Sequence, residues 1–244
     1  MRDVALIGRL ETRLMFADPF PFLLLIAMPI ILLSFLSKGF VGGPAHTVPG
    51  LATIFGLFGM AIVGLAFFRD HGWNTWNRLR ASPAGPAQVL IGKAMPLVVL
   101  LYVQQVVLLL LGRAFFDMPW HGSIAATALL IVAIVSVEAS FGMLLVTICG
   151  TIDQLAVASY LGALVLAGFG GALAPLSRLP EWVNKVAPAS PVYWMGKGFK
   201  VVIVGDGSFG DLLVSALVLV GFAACAAAIV VWRYRFDAQK TYFA

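Results

Sequence analysis

The eighteen residues RDHGWNTWNRLRASPAGP, positions 69–86, interrupt a chain built mostly from apolar blocks. Placed at the centre of a bilayer, Arg69, Asp70, Arg78 and Arg80 would each cost about 2.5–3.5 kcal/mol, about 10 kcal/mol together. The stretch must therefore lie outside hydrocarbon. The blocks on either side of it, 49–68 and 88–111, are long enough to cross about 30 Å of hydrocarbon as helices. The rest of the chain has the same character: 61% of its residues are hydrophobic and 11% charged, against about 25% charged in soluble domains. Its apolar residues form blocks rather than amphipathic stripes. These features place the chain in a bilayer and exclude a soluble core.

Six spans are predicted, at 20–37, 49–68, 88–111, 123–147, 155–174 and 210–232, so both termini fall on one side. That side carries Arg2, Arg9, Arg13, Arg69, Arg78, Arg80, Lys93, Arg233, Arg235 and Lys240. The short loops opposite carry Lys38 and Arg113, while Arg178, Lys185, Lys197 and Lys200 lie in the long fifth-to-sixth connection. Basic residues concentrate in cytoplasmic loops, which predicts cytoplasmic termini. The same bias explains the net charge of +5 without invoking nucleic acid. Cys149 and Cys225 lie at or inside apolar blocks and read as small hydrophobes. The N-terminal residues are too polar for a cleavable signal, so the first span is expected to stay in the mature protein.

Residues 1–18 are expected to form an interfacial helix. At 100° per residue, Arg2, Arg9 and Arg13 fall within about 40° of one another, opposite Val4, Ile7 and Leu14. Glu11 interrupts the apolar face. Asp18 and Pro19 mark the turn into the membrane. Nucleotide-binding, metalloprotease and nucleophile-elbow motifs are missing from the sequence, as are paired cysteines and convincing internal repeats. The chain reads as non-catalytic and dependent on an outside source of energy.

Between Gly72 and Pro83 a short helix is allowed, with Trp73, Trp76 and Leu79 at i, i+3 and i+6 on one apolar stripe beside the arginines. Tryptophan at headgroup level fits a loop resting on the membrane. Aromatic and arginine side chains are also preferred anchors in protein interfaces, which fits a docking helix.

With its continuation, FFRDHGWNTWNRLRASPAGPAQVLIGK (67–93) resembles the membrane subunits of type-2 ABC exporters, the ABC-2 permeases. Arg69, Asp70, Gly72, Thr75, Leu79, Ser82, Pro83, Gly92 and Lys93 match the family pattern. His71, Trp73 and Asn74 depart from the more acidic start followed directly by Gly-Thr that many members have. A second segment, GFGGALAPLSRLPEWVNKVAPASPVYWMGKGFKVVIVGDG (168–207), is similar to the family's region between the last two spans. The resemblance implies a single all-α membrane domain over 1–244 with a coupling helix at 69–86 and short re-entrant outer helices at 175–208. It implies ATPase contacts from Arg69, Asp70, Gly72, Thr75, Trp76, Leu79, Arg80 and Pro83, and an outer gate including Pro175, Trp182, Pro191, Tyr193 and Trp194. The implied partners are two ATP-binding subunits, which carry the ATP and magnesium, and a second permease subunit, identical or paralogous. No cofactor or metal is expected on this chain itself.

From the residues alone, Pro175, Pro180, Pro188 and Pro191 chop the outer region into pieces too short to span. Glu138 is the one acid well inside a span; it either lines a path or fixes helix packing. Gln104 and Gln105 either contact substrate or bond between helices. Gly56, Gly59 and Gly64 permit close helix approach. Asp153 is a further candidate contact with the ATPase. The expected function is ATP-driven export of a hydrophobic or amphipathic drug, peptide or lipid across a bacterial plasma membrane. An ion-coupled carrier would instead require several intramembrane ionisable residues and repeat symmetry. A lipid-modifying or assembly protein would require a polar catalytic cluster, whereas His46, His71 and His121 are scattered in the sequence.

Overall fold

Apolar side chains on every face suit these helices to lipid and to one another, and the architecture follows from how they share the burial. A computed structural model describes residues 2–36, 43–234 and 240. Ten α-helices occur among them: α1 (Arg2–Ala17), α2 (Phe20–Leu36), α3 (Pro44–Gly72), α4 (Trp76–Arg80), α5 (Pro86–Phe115), α6 (Ile124–Ile148), α7 (Ile152–Gly170), α8 (Glu181–Val186), α9 (Pro191–Phe199) and α10 (Phe209–Arg233). Five of these, α3, α5, α6, α7 and α10, are long and apolar enough to cross a membrane. A sixth span arises if α1 and α2, which meet at 67° across Asp18 and Pro19, are taken as one bent unit. The chain is thus an all-α membrane protein with no strand among the described residues.

Several helix ends differ from the hydropathy blocks. The helix of the second span runs from Pro44 through Gly72, so Arg69 and Asp70 continue it instead of opening a loop. The fifth stops at Gly170, capped by Gly171 at φ +81, a left-handed conformation glycine adopts without steric cost. Position 37 of the first span, and Lys38 and Arg235 of the charge count, lie outside the described residues.

The hub is α3. Two thirds of its apolar window is buried, against a third or less for α5, α7 and α10. Its glycines make this possible. A Cβ on Gly56 would overlap Glu138 of α6, one on Gly59 would overlap Leu101 of α5, and one on Gly64 would reach Leu155 of α7. Close approach through small residues is the usual way membrane helices gain packing energy, since lipid tails are as apolar as leucine.

At the end where α3 begins, His46 Nε2 bonds Gly171 O at 2.9 Å. The α5–α6 loop meets the α7–α10 connection there, with the amides of His121 and Gly122 donating to Val202 O at 3.1 and 2.7 Å. That connection is a string of short turns: 3₁₀ at Leu176–Arg178, α8, 3₁₀ at Ala187–Ala189, α9 and a π turn at Lys200–Val204. Ser190 Oγ donates to Leu166 O at 2.9 Å and fastens α9 to α7. At the opposite end Ile7, Phe67, Trp76, Leu79, Val89 and Tyr234 share one cluster, and Lys240 Nζ donates to Cys149 O at 2.7 Å. α1, α4, Tyr234 and Lys240 therefore lie on the same face.

Gly56→Ala is expected to destabilise the chain by about 1–3 kcal/mol, because the methyl must displace Glu138. Gly162→Ala, where no atom lies within 4 Å of the added carbon, is expected to cost nothing. Thermal unfolding of the two purified variants in the same detergent checks the difference.

Candidate functional site

The hydrophilic stretch opens on the last turn of α3. Its direction is set by a tight reversal at 73–75, where the amides of Trp73 and Thr75 bond the carbonyls of Arg69 and Asp70, both at 2.9 Å. Asn74 holds φ +56, a conformation Asn tolerates better than bulkier residues. The helix that follows is shorter than the Gly72–Pro83 stretch allows and includes only Trp76–Arg80. Trp73 is therefore not on a common helical stripe with Trp76 and Leu79. It is 55% exposed at the corner, with the Arg69 guanidinium 5.3 Å from its ring centroid. Trp76 points inward. It is 4% exposed and stacks on His71 at 4.5 Å between centroids.

Beneath this turn lies a cluster of four charges. Glu11 of α1 accepts hydrogen bonds from Arg69 at the end of α3 and from Lys93 of α5, one through each carboxylate oxygen. Lys93 Nζ also reaches Asp70 Oδ2 at 2.6 Å, and Asp70 Oδ1 accepts from the Thr75 hydroxyl at 2.9 Å. The Lys93 side chain is 1% exposed and that of Glu11 4%. Two cations and two carboxylates balance, which is what allows ions to stay buried at all: an unpaired one costs several kcal/mol. Gly92, beside Lys93, lets α1 approach this closely, since a Cβ there would sit 2.8 Å from Ile7 Cβ. The Gly92–Lys93 pair thus serves one purpose, the seating of α1 on α5.

The residues expected to contact an ATPase divide into two groups. Arg69, Asp70, Thr75 and Trp76 face the subunit and hold the turn in place, whereas Pro83 is exposed and Leu79 and Arg80 are half-buried. Gly72 ends α3. Trp73, Asn77 and Arg78 are exposed, and a cleft of about 390 Å³ between α1 and this turn is lined by Ile7, Leu10, Leu14, Trp73, Arg78 and Leu79 among others. Sequence reading missed Glu11 and Lys93 as the core of the site. The available signal was an acid on the inward face of α1, opposite the arginines, which needs a buried partner.

Glu138, Gln104 and Gln105, expected beside a path or between helices, come together inside the bundle, each 0% exposed. Gln105 Nε2 donates to Glu138 Oε1 at 2.9 Å and to Ala52 O at 3.3 Å, and Gln104 Nε2 donates to Ala52 O at 3.4 Å. They tie α5 and α6 to α3. A separate apolar cleft of about 370 Å³ between α2, α3 and α7 is lined by Leu24, Met28, Phe55, Phe58 and Tyr160 among others. Phe58 stands edge-on to both Phe55 and Tyr160 at 5.4 Å.

The residues expected at an outer gate gather at the other end. Pro191 is buried at the start of α9, and Tyr193 and Trp194 meet edge-on at 5.3 Å. Trp194 Nε1 donates to Pro188 O at 2.9 Å. Trp182 is exposed on α8, edge-on to Phe169 at 5.9 Å. Pro175 lines a cavity with Tyr193. The three histidines are dispersed: each bonds a backbone carbonyl, Gly171 for His46, Phe67 for His71 and Ile203 for His121.

Glu11→Ala is expected to cost about 3 kcal/mol by leaving buried Lys93 with one carboxylate fewer. The double variant Glu11→Ala/Lys93→Met is expected to be less destabilised than the sum of its singles. A double-mutant cycle on thermal unfolding measures the coupling, and additive losses would show that the pair does not act as a unit.

Comparison with known proteins places these features in a family context. Residues 3–204 match the family described as ABC-2 type transporter. Two curated relatives, the probable multidrug ABC transporter permease YbhR of Escherichia coli K12 and its counterpart in Escherichia coli O157:H7, are each 25% identical to the chain over 162 residues. The match covers 66% of this chain and 44% of each relative, so the chain spans under half the length of the curated proteins it matches.

Proposed function

The chain belongs to the ABC-2 type transporter family, and from that premise we propose that it is the membrane subunit of an ATP-driven exporter, moved through residues 69–83 by a separate ATP-binding subunit. The observation that carries this reading is the neutral charge cluster, in which Glu11 is bonded to both Arg69 and Lys93. It joins α1, the turn at 73–75, the end of α3 and the start of α5 into one body. A push on the exposed side of that body is delivered to the spans and is not absorbed by a loose loop.

In this reading the outward-facing Trp73, Asn77, Arg78 and Pro83 meet the partner. Arg69, Asp70, Thr75 and Trp76 act from the inner side, as positioning residues. Aromatic and arginine side chains are the commonest interface anchors, and the cleft between α1 and the turn receives a complementary apolar group. The face that holds α1, α4, Tyr234 and Lys240 is cytoplasmic, because the basic residues concentrate there, and the membrane is the bacterial plasma membrane.

Two ATP-binding subunits supply ATP and magnesium, and two permease subunits pair. The path runs between the α3 and α7 faces of the paired subunits, where the apolar α2–α3–α7 cleft supports a hydrophobic or amphipathic cargo: a drug, a peptide or a lipid. Glu138, Gln104 and Gln105 keep α5 and α6 moving with α3. Pro175, Trp182, Pro191, Tyr193 and Trp194 belong to the outer cap that closes the path.

The test is co-expression with the cognate ATP-binding subunit and purification in mild detergent. Trp73→Ala/Arg78→Glu is expected to lower recovery of that subunit by at least about tenfold, whereas Arg178→Glu, exposed on the other face, leaves it unchanged. Undiminished recovery and ATP-dependent transport by the double variant would contradict the assignment.

A further inference from the structure

At the end of the bundle opposite α4, the first three turns of α3, the close of α7 with the turn after it, and α9 line a cavity of about 140 Å³. Its polar lining comes from His46, Thr53, Ser177, Tyr193, Lys197 and Lys200; every other lining residue is apolar or glycine, and none is acidic. The lining thus contributes two lysines and a histidine and no carboxylate. Among the described residues neither lysine makes an ion pair. Lys197 is held over aromatic faces instead, its Nζ 5.5 Å from the Tyr193 centroid and 5.2 Å from that of Trp194. Asp211, the acid whose charge Lys197 influences, is engaged as the cap of α10, accepting from the Ser208 amide at 2.8 Å and hydroxyl at 2.7 Å. His46 is fixed through Nε2 on Gly171, which leaves its buried Nδ1 without a partner.

We propose that this cavity binds a phosphate group, and that its source is the headgroup of an anionic phospholipid. A tetrahedral oxyanion offers acceptors in several directions at once, which suits two ammonium groups and several hydroxyls converging from different segments. The volume is that of roughly four waters, the scale of a headgroup oxyanion and not of a whole amphiphile. Tyr193 and Trp194 are the side chains that favour headgroup depth. The site is independent of how the opposite end of the molecule docks, so it stands or falls apart from the exporter reading.

The experiment reconstitutes the purified chain in nanodiscs of equal phosphatidylglycerol and phosphatidylcholine, and counts the lipids retained after gentle detergent transfer by native mass spectrometry. Wild type is expected to retain phosphatidylglycerol preferentially. Lys197→Gln and Lys200→Gln each lower that preference, by about fivefold per lysine, and Lys197→Arg/Lys200→Arg preserves it. Both lysines are exposed, and unchanged helical circular dichroism confirms that the variants fold. A parallel arm adds millimolar inorganic phosphate. If phosphate displaces the lipid only in the wild type, the oxyanion site is supported with free phosphate as a competing source. Equal phosphatidylglycerol retention by wild type and the double Gln variant, with no response to phosphate, overturns the proposal.

Discussion

Four largely buried charges, Glu11, Arg69, Asp70 and Lys93, determine how the rest of the molecule is held together. Apart from the neighbours Arg69 and Asp70, the carriers are far apart in the sequence: they come from α1, the last turn of α3 and the start of α5. Each would be costly to bury by itself, and together they are neutral. This makes the arrangement all-or-none. Lifting α1 away would leave Lys93 with Asp70 alone and Arg69 without its carboxylate, so α1 is bound to the bundle by electrostatics as well as by the apolar contact of Ile7 with Gly92.

The second constraint is the central position of α3. Its 29 residues make a rod about 44 Å long, with the charge cluster at one end and the His46–Gly171 bond at the other. Between them, its glycines and the bonds that Gln104 and Gln105 donate to Ala52 O lock it to three neighbours. An element tied down along its whole length transmits displacement instead of bending. That mechanical property connects a small turn on one face to the string of short helices on the other, and it is the physical basis for the exporter reading.

Much of this was legible in the sequence, and the reasons for the rest are specific. Blocks of apolar residues mark helices because lipid requires every backbone polar group to be satisfied within the segment. The prolines at 175, 180, 188 and 191 likewise marked a region that had to break into short turns. Helix α3 overran its hydropathy block because hydropathy scores Arg69 and Asp70 as polar, whereas their buried partners let the helix continue. Trp73 and Trp76 were read as one stripe on the assumption of an unbroken helix; the left-handed Asn74 turns one outward and the other into the core. The partner of Glu11 depends on contacts across 58 and 82 positions of chain, which periodicity does not encode, although the wheel position of Glu11 already demanded one. The π turn at 200–204 and its bonds to the α5–α6 loop had no sequence signal.

The central claim is that α1 and the α4 turn form one rigid unit with the spans. Spin labels at Leu6 and Ala81, both exposed and neither assigned to the partner contact, measured by pulsed electron resonance in the assembled complex with and without nucleotide, test it most directly. The account predicts a narrow distance distribution that is the same in both states. A distance that shifts by several ångströms, or broadens, when nucleotide binds would show that the two helices move separately and would contradict it.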